Sequence, residues 1–449
     1  MNKTFKSCDR KQMLLLPPCL LDWLPEGHLS HFIVDTVEQL DLSAIYDSYG
    51  GKGRGQPPYD PAMMVSLLLY AYCSGVASSR QIEKRTHEDI AFRMIAANRH
   101  PDHDSICEFR KRHLKALAAL FVQVFRLCQE AGLVKLGHVA LDGTKVRANA
   151  SKHKAMSYGR MKKSKEELEQ EIAALLARAE AVDQEEDQKY GKGRKGWTLP
   201  EELQRRETRL QKIKEAMKTL EQEAVREAEE KQQAKEEQRE KPGEAKSQSP
   251  APVPRDKAQK NFTDPDSRIM KVSSTKSFEQ CYNAQALVDD AHQVIVAAHL
   301  SQKSNDMDEV EPILDVVEQH LGKIPAGMAV SADAGYFSET NVMLFEDAIL
   351  KPYIATGKLK HGDIPPAVRG RPPKDLTPKQ AMLRKLATKQ GQAIYAKRKS
   401  TVEPVFGQIK QARGLRQFLL RGKESVSAEW QIWCLTHNLL KLYRYGSTP

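Results

Sequence analysis

The chain has 449 residues, 40% of them hydrophobic and 29% charged, with a formal net charge of +11. That length fits two or three domains with packed cores, beside at least one very polar segment. The longest strongly apolar run, residues 63–73, is broken by Ser66 and is too short to cross a bilayer, and the opening MNKTFKSCDRKQ lacks an apolar signal-peptide core, so neither membrane insertion nor secretion is expected.

A pI of about 9.1 suits a polyanionic partner without choosing nucleic acid over a membrane surface. The distribution of charge is more telling. Residues 356–423 hold 17 Lys/Arg against 3 Asp/Glu, whereas residues 151–260 hold 26 against 23. One stretch thus carries a larger positive excess than the whole chain, which points to a surface for a phosphate backbone. The seven cysteines, at 8, 19, 73, 107, 128, 281 and 434, include no C-x-x-C pair and read as reduced thiols of a cytoplasmic protein.

Residues 1–135 are predicted to be all helical. Asp60-Pro61 starts one helix, a short helix follows at 79–85, and Asp104-Ser105 opens a long apolar-periodic segment. Several short helices with Arg and Lys between them suit a DNA reader or, equally, a bundle that dimerises. His100, His103 and Cys107 offer zinc-type ligands, but no fourth falls at finger spacing. Residues 138–148 read as a strand. From 161 to 240 the pattern changes: Leu168, Ile172, Leu175, Ala179 and Val182, then Leu203, Arg206, Leu210, Ile213, Met217 and Leu220, follow spacings of three and four. Two such seams around the glycine-rich 190–197 predict an antiparallel coiled-coil hairpin within 151–240. Pro and Ser in 241–260 predict a flexible linker.

Regular structure is expected to resume near Asn261. Residues 282–288 and 293–299 read as a hairpin around Asp289-Asp290, 306–320 as a helix, and 328–333 as a strand. A short helix near 338–347, a strand at 350–355, helices on both sides of Ser400 and a core helix from Trp430 to Leu442 complete an α/β order with a mixed sheet.

Three acids stand out. Asp142 ends the apolar run in HVALDGTK, Asp333 ends another in MAVSADAGY, and Glu403 opens an amphipathic stretch, TVEPVFGQIK. Each has a structural reading: a hairpin turn at Asp142-Gly143, a strand-to-helix turn at Asp333, and a capping box from Ser400 to Glu403. Carboxylates from two strand ends and a helix also suit divalent metal, and two Mg2+ ions activate one oxygen and stabilise another during in-line attack at phosphorus. Asp142 and Asp333 are 191 residues apart; removing 151–260, which is 110 residues, leaves 81, and Asp333 to Glu403 is 70, spacings that suit one domain interrupted by an insert. Asp264 and Asp266 read chiefly as turn residues, and Asp306 as a helix cap.

The segments LDGTKVRANA (141–150), ADAGY (332–336) and YAKR (395–398) through Glu403 to Lys410 resemble the DDE-type insertion-sequence transposases, in the group similar to insertion sequences 4 and 5. Residues 57–110 resemble the helical N-terminal domain of those enzymes. The resemblance implies a ribonuclease H-like mixed sheet flanked by helices, split between 136–150 and 261–449. It implies that Asp142, Asp333 and Glu403 are catalytic and bind two Mg2+ ions, with Mn2+ as a substitute. Lys145, Arg147, Tyr395, Arg398, Lys410 and Arg413 are the candidate DNA contacts. Four residues separate Arg398 from Glu403 where relatives of insertion sequence 4 commonly have three, which bears on the role of Arg398. The expected activity is cleavage and strand transfer at terminal inverted repeats of double-stranded DNA, by a homodimer in a bacterial, nucleoid-associated setting. The alternatives are a catalytically silent DNA-binding regulator and a metal-dependent nuclease without strand transfer.

Overall fold

The computed structural model describes residues 19–49, 57–190, 201–237, 253–272, 276–357, 368–371, 373 and 375–446. The glycine-rich 191–197, most of the expected linker and the basic loop at 358–367 lie outside the described residues.

The N-terminal part is helical: α1 (Leu29–Glu38), α2 (Ser43–Tyr46), α3 (Pro61–Cys73), α4 (Ser79–Glu88), α5 (Ile90–Ile95), α6 (His103–Arg112) and α7 (Leu114–Glu130). Asp60 starts α3 as expected, its carboxylate accepting from the Met63 amide at 2.8 Å, with Pro61 in the first turn. The segment read as one long helix from 104 is two, α6 and α7, separated at His113.

The sheet is mixed. Its strands are β1 (His138–Arg147), β4 (Arg268–Lys271), β5 (Phe278–Asp289), β6 (Ile295–Ser301), β7 (Ala329–Ala332) and β8 (Lys351–Ile354), while β2 (Ala155–Ser157) and β3 (Gln259–Asn261) pair separately. The order is β4-β5-β1-β7-β8, with β6 beside β5. Strand β5 is antiparallel to β1, β4 and β6, and β1, β7 and β8 run parallel. Gln259 and Lys260, within the expected linker, belong to β3.

Side chains alternate across β1, so its two faces enter two cores. Val139 and Leu141 pack with Val330, Ala332, Ile313 and Val317, the last two from α10 (Val310–Leu321). Ala140 and Val146 join a core shared with α3, α7 and α15 (Lys423–Tyr445), in which Trp430 and Trp433 are fully buried. The N-terminal helices therefore do not close a core of their own. Residues such as Leu67 and Phe121 pack in one continuous core with the sheet and α15.

The insert holds two long helices, α8 (Tyr158–Tyr190) and α9 (Glu201–Glu237). Leu168, Ile213, Met217 and Leu220 pack together. Glu171 meets Arg206 at 3.1 Å and Glu169 meets Lys214 at 2.8 Å, a descending and an ascending series that makes the helices antiparallel. Ala179 and Val182 of the expected seam have side chains outside the described set.

The last elements are α11 (Glu339–Asp347), α12 (Pro378–Ala387), α13 (Lys389–Thr401), α14 (Glu403–Gly407), a π turn (Gln408–Ala412) and α15. Helix α13 passes over β1, β7 and β8 and brings the basic segment onto the parallel half of the sheet.

Candidate active site

Parallel register pairs Leu141 with Ala332. The next residue along each strand is an aspartate, so Asp142 and Asp333 leave the ladder side by side, on strands about 4.8 Å apart. Leu141 and Ala332 face one core, so alternation turns the two carboxylates to the opposite face. Asp142 is not a turn residue: β1 continues through Gly143 to Arg147. The Asp142 carboxylate accepts from the Gly143 amide at 2.8 Å, and that of Asp333 from the Gly335 amide at 2.8 Å.

Helix α13 lays Arg398 against this pair. Its Nη1 lies 3.2 Å from Asp142 Oδ2, and its Nη2 3.6 Å from Glu403 Oε1. Arg398 is buried, and its Nε has no hydrogen-bond partner among the described residues. Burial opposes its charge, yet Asp142, with help from Tyr395, Asp333 and Glu403, holds its pKa above the usual guanidinium value. Asp142 also shifts upward, which for a carboxyl disfavours the charged form despite the ion pair. Burial first, then Asp333 and Asp306, push it up to about 6, outweighing Arg398 and the Gly143 amide. A carboxyl so placed keeps its proton to a higher pH than an ordinary one.

Glu403 opens α14 but not through a capping box: the Ser400 hydroxyl donates to the Lys397 carbonyl instead, and no side chain caps α14. Among the described residues, no group of three or more His, Cys, Asp or Glu side chains is arranged to hold a metal ion. Asp142 and Asp333 form an oxygen pair of the kind hard cations take. The described arrangement puts the Arg398 guanidinium, not a third carboxylate, between Asp142 and Glu403. At the strand pair the described residues thus offer two carboxylates, one of them engaged by Arg398, and Glu403 stands outside it here.

A further acid belongs to the neighbourhood. Asp306 lies behind Gly143, and its Oδ1 accepts from Asn283 at 2.6 Å, Gln285 at 2.9 Å and Lys145 at 3.2 Å. It makes no side-chain helix cap. The glycines after both aspartates make room for this cluster. A Cβ on Gly143 would come within 2.4 Å of Gln285 Nε2 and 2.9 Å of Asp306 Oδ1, and one on Gly335 within 3.0 Å of Asp333 Oδ1 and 3.5 Å of Asp306 Oδ2. Tyr336, fully buried, donates its hydroxyl to Gln285, and burial followed by the surrounding acids pushes its pKa far up. Sequence reading took Asp306 for a helix cap and passed over Gln285 and Asn283. Their signal was two amides alternating along the apolar strand 282–288.

The candidate DNA contacts divide. Lys410, on the π turn, reaches β1, donating to Thr144 Oγ1 at 2.9 Å and the Lys145 carbonyl at 3.0 Å. Tyr395 is half-buried beside Arg398, and burial raises its pKa. Arg147 is exposed. Lys145 pairs with Asp306. Arg413 is buried in α15's core, donating to Thr436 Oγ1 at 2.7 Å and the Trp433 carbonyl at 3.1 Å, so it holds the fold and is not available to a phosphate. Asp264 and Asp266 are structural: Asp264 accepts from Tyr282 and from the Gly422 amide, and Asp266 from the Lys423 amide. His103 pairs with Glu83 at 2.9 Å and His100 stacks on His87, with no zinc-type group among the described residues.

Residues 18–112 match the family model described as Transposase domain (DUF772), and residues 373–443 match the Transposase DDE domain. The two matches support a DDE transposase. The second match contains Tyr395, Arg398, Glu403 and Lys410, whereas Asp142 and Asp333 fall outside both. No curated protein and no solved structure matches the chain. Among the described residues no helix is long and apolar enough to cross a membrane. The matched C-terminal segment meets Asp142 through Arg398.

Proposed function

We propose that the chain is an insertion-sequence transposase of the group similar to insertion sequences 4 and 5. It binds terminal inverted repeats as a homodimer and cleaves and joins DNA strands with Asp142, Asp333 and Glu403. The observation that carries the reading is the parallel register, which makes Asp142 and Asp333 lateral neighbours under the segment that bears Glu403. A six-stranded sheet in which β4, β5, β6 and β1 pair antiparallel and β7 and β8 continue β1 in parallel, flanked by helices, supports a ribonuclease H-like catalytic fold. The antiparallel α8 and α9, with apolar residues between them, support a coiled-coil arm.

Asp142 and Asp333 would hold divalent metal, Mg2+ or in its place Mn2+, with Glu403 joining them once Arg398 yields. Bound there, such ions activate a water or a 3′-hydroxyl and stabilise the leaving oxygen at phosphorus. The chain's own groups do the rest. The carboxylates orient against the sheet, and Arg398 neutralises them before DNA arrives. Lys410, braced on Thr144, presents a cation beside the reacting strand, and exposed Arg147 contacts its backbone. The positive excess of 356–423 supports phosphate binding over this face.

The test is transfer of a labelled 3′ end into target DNA with Mg2+ or Mn2+. Cleavage and joining, both lost in Asp142→Asn, are expected. Cleavage without joining makes the protein a nuclease. A second reading, a DNA-binding regulator without chemistry, is favoured by Arg398 bridging Asp142 and Glu403. DNA binding with no metal-dependent cleavage would establish it.

A further inference from the structure

Past Arg147 the first strand leaves the sheet and is laced to residues 416–421. Phe418's amide donates to the Arg147 carbonyl at 2.9 Å. Gln417 Nε2 donates to the Ala148 carbonyl at 3.0 Å, Asn149 Nδ2 to the Leu419 carbonyl at 2.7 Å, and Arg421 Nε to the Asn149 carbonyl at 2.9 Å. Side chains from both stretches therefore form a fixed floor. Over it opens a cavity of about 440 Å³.

Arg147, Lys154 and Arg421 line this cavity and all three are exposed. None forms an ion pair with a described carboxylate. Glu279, the acid in the lining, is turned to Lys152 at 3.7 Å. Arg147 and Arg421 each commit Nε to a backbone carbonyl, at 3.4 Å and 2.9 Å, which orients the guanidinium planes. The Nη groups of both have no acceptor among the described residues. Two oriented guanidinium groups and an ammonium over a polar floor of Asn149 and Gln417 suit phosphate oxygens, which take arginine in pairs of hydrogen bonds. Strand β1 carries both sites: Asp142 lies five residues before Arg147, a separation of about 16 Å at roughly 3.3 Å per residue.

We propose that this cavity binds the phosphodiester backbone of a DNA strand, a few nucleotides from the bond facing Asp142. It is a second anchor, separate from the carboxylate site, and it rests on the DNA reading above. The strand would run from the carboxylates past Lys410 and Thr144 to Arg147, Lys154 and Arg421.

The experiment is fluorescence anisotropy of the full chain with a labelled 30-bp duplex of arbitrary sequence, without divalent metal, across a salt series. Lys154→Glu with Arg421→Glu is expected to weaken binding at least about tenfold at low salt and to lower the slope of log affinity against log salt by about two. Lys154→Arg with Arg421→Lys, which keeps the charges, is expected to retain the slope. An unchanged slope in the charge-reversed protein, or an equal loss in the charge-keeping one, overturns the cavity while leaving the transposase reading intact. Failure of the unaltered chain to bind the duplex overturns both.

Discussion

The strand-borne and helix-borne halves of the site are held by different forces. Asp142 and Asp333 are placed by backbone ladders on both sides of β1, and their spacing follows from register. Arg398, Glu403 and Lys410 hang from α13, α14 and a π turn, and reach the sheet through side-chain contacts alone. Glu403's side chain is 52% exposed, against 19% for that of Asp142. A ladder cannot slip without turning every side chain to the other face, whereas a side-chain ion pair exchanges readily. The comparison teaches that the strand pair is the fixed part of the site and the helical segment the adjustable part.

The largest effect expected is chemical. Asp142→Asn should cut metal-dependent DNA cleavage by at least about 10³-fold while leaving duplex binding in place, on the scale of losing a principal charge-stabilising group. Glu403→Gln should do the same, and cleavage retained in Asp142→Asn would break the assignment of the strand pair.

Stability should separate the halves next. Arg398→Ala leaves the buried Asp142 carboxylate facing Asp333 and Asp306 without its counter-ion, a loss of about 3 kcal/mol in urea unfolding that Mn2+ should partly restore. Glu403→Gln, a half-exposed partner, should cost less than about 1 kcal/mol. Equal costs would mean that Arg398 serves both acids alike.

Two arginines, Arg413 after the π turn and Arg147 at the end of β1, sharpen the contrast. Arg413→Ala should destabilise by about 3 kcal/mol through lost buried hydrogen bonds. Arg147→Ala should leave the unfolding free energy within about 0.5 kcal/mol and lower the salt dependence of DNA binding by about one unit of slope. Gly143→Ala should cost about 1–3 kcal/mol, because the new Cβ forces Gln285 and Asp306 to move.

The smallest effect is a pH slope. His437 is fully buried with Nε2 2.9 Å from the Gln293 carbonyl, and burial holds its pKa well below the ordinary value. The unfolded chain takes up a proton below about pH 6.5 that the folded chain refuses. Its stabilising contribution is therefore complete above that pH and declines below it, by at most about 1.4 kcal/mol per unit for this one group. Urea midpoints at pH 7.5 and 5.5 test the sign, and His437→Gln should flatten the difference. A midpoint unchanged in the parent chain would refute it.

Much of the fold was legible because burial leaves a period. The hairpin around Asp289 and Asp290, the strand through Leu141 and the helix with Trp430 all emerged from apolar spacing, and Asp60-Pro61 marked the start of α3. The break at His113 was not legible, since apolar spacing runs on through it. Nor was the shared core of the N-terminal helices and α15, because an amphipathic helix does not name the surface it covers. Ser400 and Glu403 matched a capping pattern, but Ser400 lies inside α13, where its hydroxyl turns back to Lys397.

Sequence alone determined that two apolar runs end in acids, that a basic segment carries a third, and that amides interrupt the apolar strand 282–288. Those are properties of neighbours in the chain. Only the tertiary structure decided that Asp142 lies beside Asp333, that Arg398 is the counter-ion between Asp142 and Glu403, that Asp306 is held by Lys145, Asn283 and Gln285, and that Arg413 is buried while Arg147 is exposed. Local pattern sets which face of a strand or helix is apolar, whereas the partner of a charge depends on register and packing between residues far apart in the chain, 256 positions for Asp142 and Arg398.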